Sequence, residues 1–466
     1  MNFFDDIDTY GSKTAIIDEK SECYSYTDLI NRDDAVRSRI PQRCIVFSVC
    51  ENQLESVAGY IGFLRGRIVP VLVNATLPAD LFDKLLKTYR PAYIWMPSPK
   101  SESRNWGEPI YRSAHYVLLK TVYGNDVPVH SDLALLMMTS GSTGSPLLVR
   151  QSYGNICSNT NAIVSYLRIT ETDRPITTLP MSYTYGLSVL NTHLLKGCTV
   201  ILTAKSVMEK AFWDGLKNHN ATTFGGVPYT YEMLKILRFS NMNLPNLKIL
   251  TQAGGRLSHD LTLEFASICA KKGIEFVVMY GQTEATARMS YLPSEYNIEK
   301  AGSIGIAIPG GEMWLEDANG QVISQNDTVG ELVYKGPNVT MGYATNYQDL
   351  SKGDINKGVL KTGDFAKRDK DGFYYIVGRK KRFLKIFGNR VNLEELEGAI
   401  KTLGLNCVCG GKDDHLRIYT VDKGQENKIK EFVVSQTGLH PSACAVILVD
   451  SIPRSETGKI LYASLT

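Results

Sequence analysis

Short apolar runs alternate with stretches of helical periodicity through most of the chain. Runs at 43–49, 68–73, 93–96, 133–138, 199–202, 247–251 and 275–279 predict strands, several of them ending in Gly, Ser, Thr or Asn. Strands alternating with helices predict an α/β fold, and open α/β sheets take their ligands beyond the carboxyl ends of the strands, where such loops lie. From about Ile304 the pattern turns to short strands broken by Asn319-Gly320 and Asp371-Gly372, which is the turn chemistry of a β-rich region. A compact charged segment, 378–382, follows a predicted strand at 373–377. Residues 383–466 then show a βα pattern of their own, with helices expected near 393–403 and 425–437. The prediction is an α/β protein in three parts. A large N-terminal domain of α/β layers with a β-rich subdomain covers 1–377, a hinge covers 378–382, and a small mobile C-terminal α+β domain covers 383–466.

Composition narrows the function classes. A chain of 466 residues is too long for one ordinary core, and 43% hydrophobic with 21% charged residues argues against disorder or a membrane bundle. Fifty-one basic residues stand against 48 acidic ones, so a net charge of +3 gives no general drive toward nucleic acid or anionic membrane. The first residues are acidic where a signal peptide is basic, and no run of about 18 apolar residues occurs, so a cytoplasmic protein without integral membrane association is expected. Nine scattered cysteines argue against a disulfide framework, and Cys407-x-Cys409 has no second pair to complete a zinc site, so buried strand thiols are expected there.

The predicted strand 133–138 runs directly into Thr139, Ser140, Gly141, Ser142, Thr143, Gly144 and Ser145. Seven consecutive small residues, most of them hydroxyl-bearing, let backbone N–H groups approach an anion closely, which suits a polyphosphate. No G-K-[ST] closes the loop, so it is not a Walker A motif, and composition alone leaves a plain Ser/Gly surface loop equally open.

This segment closely resembles the phosphate loop of the adenylate-forming superfamily of acyl-CoA synthetases, adenylation domains and luciferases. Three further segments fit in the family's order. Tyr280, Gly281, Gln282, Thr283 and Glu284 look like its adenine and magnesium motif. Thr362-Gly363-Asp364 with Gly378-Arg379 looks like its ribose-binding and hinge region, and 453–459 looks like its C-terminal catalytic-lysine motif. The resemblance covers nearly the whole chain and implies ATP, Mg2+ and coenzyme A, or a carrier-protein phosphopantetheine, acting on a small carboxylic acid. It implies that Glu284 holds magnesium with help from Thr143, and that Lys459 reaches the carboxylate and α-phosphate. Asp364 and Arg379 would hold the ribose. Tyr280 would face adenine, with Gly254 and Gly255 close on the other side. Lys381 would be the pivot, while Lys385 and Gly388 would belong to the loop that meets the pantetheine thiol. The segment 179–187 resembles the family's aromatic motif, so Tyr183, Tyr185 and Gly186, with Gly226 and Val227, are expected to form the acyl pocket.

Two departures stand out. Most relatives carry Pro-Lys after the phosphate loop, whereas this chain has Pro146-Leu147, and Arg150 is the nearest substitute charge. Relatives that activate α-amino acids carry an Asp near Gly186, and this chain has none, so a simple α-amino acid is disfavoured. The expectation is an acyl-CoA ligase. The alternatives are adenylation with loading onto an acyl carrier protein, and a non-catalytic nucleotide-binding homologue.

Overall fold

Every side chain of the strand Ile45–Cys50, and all but the last of Val69–Asn74, is buried, which marks strands covered on both faces. In the computed structural model they pair in parallel, Ile45 opposite Val69 through Cys50 opposite Asn74. The structure describes all residues except 1–3, 103, 139–146, 380–381, 387–388, 438, 455–459 and 466. By its contacts the chain divides into one unit of Met1–Glu312 with Lys335–Leu360 and a second of Met313–Tyr334 with Lys361–Thr466.

The first unit holds three sheets. The largest runs Tyr343–Ala344, Leu148–Ser152, Leu133–Met138, Val69–Asn74, Ile45–Cys50, Tyr93–Pro97, Tyr116–Lys120 and Glu108–Arg112 from edge to edge. A second sheet aligns Thr223–Gly226, Ile249–Gln252 and Glu275–Tyr280 in parallel, then adds Ser290–Leu292 and Ile306–Ala307 antiparallel. A three-stranded sheet of Val200–Ile201, Thr14–Ile17 and Cys23–Ser25 completes it. The helix Tyr153–Tyr166 starts at a reciprocal cap, in which Ser152 Oγ accepts the Asn155 N–H and Asn155 Oδ1 accepts the Ser152 N–H. Asn155 Nδ2 also donates to the carbonyls of Pro337 and Val339, so the capping residue ties the helix to the returning segment of the unit.

The second unit is built on a four-stranded sheet of Glu312–Glu316, Gly330–Lys335, Val359–Arg368 and Tyr374–Arg379. The β-rich region expected after Ile304 supplies most of it, and the segment 378–382 lies within this unit. Beyond it come the hairpin Phe383–Ile386 with Asn389–Asn392, the helices Leu393–Lys401 and Glu426–Thr437, and a sheet of Cys407–Lys412, His415–Thr420 and Cys444–Leu448. Asn392 caps the first helix by accepting from the N–H groups of Glu394 and Glu395. All nine cysteines are free thiols, with Cys409 buried on its strand and Cys407 half-buried. Among the described residues no helix is long and apolar enough to cross a membrane.

Candidate active site

The strand Glu275–Tyr280 ends in the turn that carries Gly281, Gln282, Thr283 and Glu284. A Cβ at Gly281 would lie 1.9 Å from the Ala287 carbonyl oxygen, so only glycine lets the turn fold back this tightly. The fold-back is held from outside the turn. Asn338 Nδ2 donates to the carbonyls of Ala285 and Arg288, each at 2.9 Å, and Asn159 Nδ2 donates to the Arg288 carbonyl at 2.9 Å. The Thr340 N–H donates to the Glu284 carbonyl at 3.0 Å. Glu284 itself is half-buried, and its Oε1 accepts the Tyr343 hydroxyl at 2.5 Å. Its Oε2 carries no hydrogen bond or ion pair among the described residues. Gln282 Nε2 lies 3.3 Å from the Tyr280 hydroxyl, which gives the aromatic side chain a fixed neighbour.

The expected acyl-pocket residues come together at the ends of the same parallel sheet. Tyr183 precedes the helix Thr184–Leu195, and its ring meets Tyr185 edge-on at 6.5 Å. Tyr185 is buried, and its hydroxyl bonds Thr251 Oγ1 at 2.7 Å and donates to the Thr251 carbonyl at 2.8 Å, while burial pushes its pKa up to about 12. Gly254 has φ of +82°, and a Cβ there would lie 2.6 Å from the Tyr183 hydroxyl and 3.0 Å from Val227 Cγ1. Gly226 ends its strand against Thr230 and Tyr231, and Gly255 lies against Pro228. A Cβ on Gly186 would lie 2.3 Å from the Pro180 carbonyl oxygen, so the helix start excludes an aspartate there on steric grounds. The pocket wall and the Glu284 turn touch: Thr283 Oγ1 and Thr184 Oγ1 are 3.4 Å apart.

In the second unit, Asp364 lies inside a strand rather than in a loop. The strand Val359–Arg368 continues through it, because Gly363 adopts φ of +72° and the ladder resumes with Asp364 opposite Arg379 across a shift at Phe365/Ala366. The Asp364 side chain is 3% exposed, and its Oδ1 pairs with Arg379 Nε at 3.2 Å, while the Arg379 side chain is largely exposed. Lys385 is exposed on the hairpin, with its N–H donating to Asp413 Oδ1 at 2.8 Å. The loop of Thr139, Ser140, Gly141, Ser142, Thr143 and Gly144, the pivot Lys381, Gly388 and Lys459 lie outside the described residues.

Arg150 is corrected outright. It is wholly buried rather than facing a phosphate, with Nε donating to the Tyr343 carbonyl at 3.2 Å and Nη2 to those of Met341 at 2.5 Å and Gly353 at 3.2 Å; Nη1 donates to the Lys352 carbonyl. Its strand, Leu148–Ser152, is buried at every position but the last, so it is covered on both faces and residue 150 has no exposed side to turn to. Two site residues escaped the sequence reading. Tyr343 is distant in sequence and lies on a two-residue edge strand that no apolar run marks. Arg288 left one signal, a cation in the otherwise apolar run Ala285-Thr-Ala-Arg-Met289.

Residues 3–344 match the family model for AMP-binding enzymes. The chain belongs to the AMP-binding enzyme family. Among its relatives is a 2-succinylbenzoate–CoA ligase of Bacillus licheniformis, 28% identical over 433 residues, covering 89% of this chain and 87% of the relative. An oxalate–CoA ligase of Arabidopsis thaliana is 26% identical over 445 residues, covering 88% and 85%. Of solved structures, the Bacillus subtilis o-succinylbenzoate coenzyme A synthetase with ATP and magnesium superposes with a TM-score of 0.78 at 21% identity, over 100% of this chain and 99% of that one. The family's α/β fold, with a large N-terminal and a small C-terminal part, is the fold seen here.

Proposed function

We propose that this AMP-binding enzyme is an AMP-forming acyl-CoA ligase. The carrying observation is the junction at Thr283 and Thr184, which sets the half-engaged carboxylate of Glu284 beside the tyrosine-lined wall of the pocket. A carboxylate is a poor acyl donor, because its leaving group would be oxide. In the first half-reaction the acid's oxygen attacks the α-phosphorus of ATP and pyrophosphate leaves; in the second, a thiol sulfur attacks the acyl carbon, AMP leaves and the thiol proton is lost. Tyr183, Tyr185, Val227 and Gly254 would hold the acid, Asp364 and Arg379 the ribose, and Tyr280 the adenine.

One free carboxylate oxygen fits magnesium better than a metal that needs a full protein cage. Magnesium takes one or two protein carboxylates and draws its other ligands from phosphates and water. Among the described residues no cluster of three His, Cys, Asp or Glu side chains offers an alternative. Glu284 would hold the ion with Thr143, and the ion would offset the charge gathered at the phosphates. The free thiols support a reducing, cytoplasmic setting. The test is pyrophosphate release across aliphatic, aromatic and hydroxy acids, with thioester formation followed with and without coenzyme A. Adenylation without a coenzyme A thioester would transfer the acceptor role to a carrier-protein phosphopantetheine, and no pyrophosphate with any acid would remove the ligase reading.

A further inference from the structure

Arg288 is a buried cation with no anion beside it among the described residues. Its side chain belongs to a residue 3% exposed, and its Nε donates to the thioether sulfur of Met279 at 3.3 Å, a weak acceptor. Its guanidinium carbon lies 4.0 Å from the ring centroid of Tyr185. The hydroxyl of Tyr166 lies beside it, and the positive charge works against the upward push that burial gives that phenol. No carboxylate pairs with Arg288 among the described residues. The other buried cations of the unit are treated differently. Lys300 lies 3.6 Å from Glu299 Oε1, and Arg150 is saturated by backbone carbonyls.

An aromatic face, a sulfur and a hydrogen bond to the neutral Tyr166 phenol return only part of what a guanidinium loses on leaving water. The fold nevertheless holds this one in place from both ends. Asn159 and Asn338 fix the Arg288 carbonyl, and Thr251 fixes the hydroxyl of the tyrosine under its head group. The same tyrosine belongs to the pocket wall, and Arg288 stands four residues beyond Glu284 on the same turn.

We propose that Arg288 reads a second carboxylate on the acid, so that the substrate is a dicarboxylic acid activated at one end and held by the guanidinium at the other. This rests on the ligase reading above. A bidentate carboxylate is the planar anion that an arginine fork matches, and it would supply the missing charge inside the pocket. A substrate with a methyl in its place would leave the guanidinium unpaired, which is the arrangement that gives strong discrimination.

The experiment measures pyrophosphate release with ATP and magnesium and without coenzyme A. The substrates are pairs of acids of equal length that end either in a second carboxylate or in a methyl group. The wild type should favour the diacid in kcat/KM by on the order of a hundredfold. Arg288→Met should reduce that ratio by about the same factor, and Arg288→Lys, which keeps the charge but loses the fork, should lie between. Because the ratio is taken within one protein sample, partial misfolding cancels. Melting of the substrate-free proteins provides a second readout: Arg288→Met should melt at or above the wild-type temperature, since it removes an unpaired buried charge, whereas a packing role would lower it. A wild-type preference for methyl-ended acids, or a ratio in both variants within about threefold of the wild type, would overturn the inference. Diacid activation that depends on Arg288 but gives no thioester when coenzyme A is then added would support it while overturning the acceptor assigned above. Activation of neither acid type by the wild type would overturn the ligase reading and this inference with it.

Discussion

Glu284 divides its carboxylate between two tasks: one oxygen is held by the Tyr343 hydroxyl, and the other has no partner among the described residues. A ligand side chain fixed through one atom loses little freedom when the other binds, which is how an outer partner orients a metal ligand. At Leu147 the chain gives up the lysine that most relatives carry beside the phosphate loop, and the structure removes the obvious compensation. Arg150 is committed to backbone carbonyls, and burial lowers its pKa rather than presenting its charge to a ligand. Leu147→Lys should therefore raise the adenylation rate, by about tenfold if the new charge stabilises the departing pyrophosphate as preorganised cations do. Pre-steady-state pyrophosphate release would show the gain, and an unchanged rate in a folded variant would mean that the phosphate charge is balanced by another group.

Two elements each bury one ionisable side chain against backbone carbonyls. The strand Leu148–Ser152 carries Arg150 into the carbonyls of Met341, Tyr343, Lys352 and Gly353, and so pins the segment that brings Tyr343 to Glu284. Arg150→Met leaves those carbonyls unsatisfied and should destabilise the first unit by roughly 3 kcal/mol. Urea unfolding would measure the loss, whereas a raised KM for ATP with full stability would restore the phosphate role to Arg150. The helix Thr184–Leu195 buries His193, whose Nδ1 donates to the Val189 carbonyl at 2.8 Å and whose pKa burial lowers to about 4. Below about pH 6.5 the unfolded chain takes up a proton that the folded one refuses. Stability present above that pH is thus lost as pH falls toward 4, by about 3 kcal/mol in all. His193→Asn can donate to the same carbonyl without titrating, so its melting temperature should fall less than the wild type's between pH 7 and pH 5. Parallel pH profiles would show that acid acts elsewhere.

At the scale of the whole molecule, a small domain that alternates between the two half-reactions would face opposite demands from them. Lys459→Ala should lose acyl-adenylate synthesis by roughly a hundredfold, the scale for one preorganised charge at a reacting centre, and keep much of the transfer from a supplied acyl-adenylate to the thiol. Gly388→Trp should do the reverse by obstructing the thiol's approach. Both half-reactions would be assayed on both variants, and equal losses in the two assays would mean that residues 383–466 do not alternate between them. The division of the chain adds a constraint that periodicity did not carry. The strands Gly330–Lys335 and Tyr374–Arg379 share a sheet in the second unit, so a pivot at Lys381 would follow a strand of that unit directly.

Legibility in the sequence followed the range of the interaction. Buried parallel strands announce themselves by continuous apolar runs, and 133–138 was placed to the residue as Leu133–Met138, because burial on both faces acts on every position of a short segment. The order of the motifs was equally local, and with it the family. The strand around Asp364 is not legible in the sequence, because Gly363 looks like a strand end, yet the partner strand holds the ladder from Asp364 onward. The direction of Arg150, the hold of Tyr343 on Glu284, and the isolation of Arg288 depend on groups far away along the chain. Whether a charge is paired, saturated by carbonyls or left waiting for a ligand is set by what the tertiary fold brings to it, and spacing in one sequence records none of those partners.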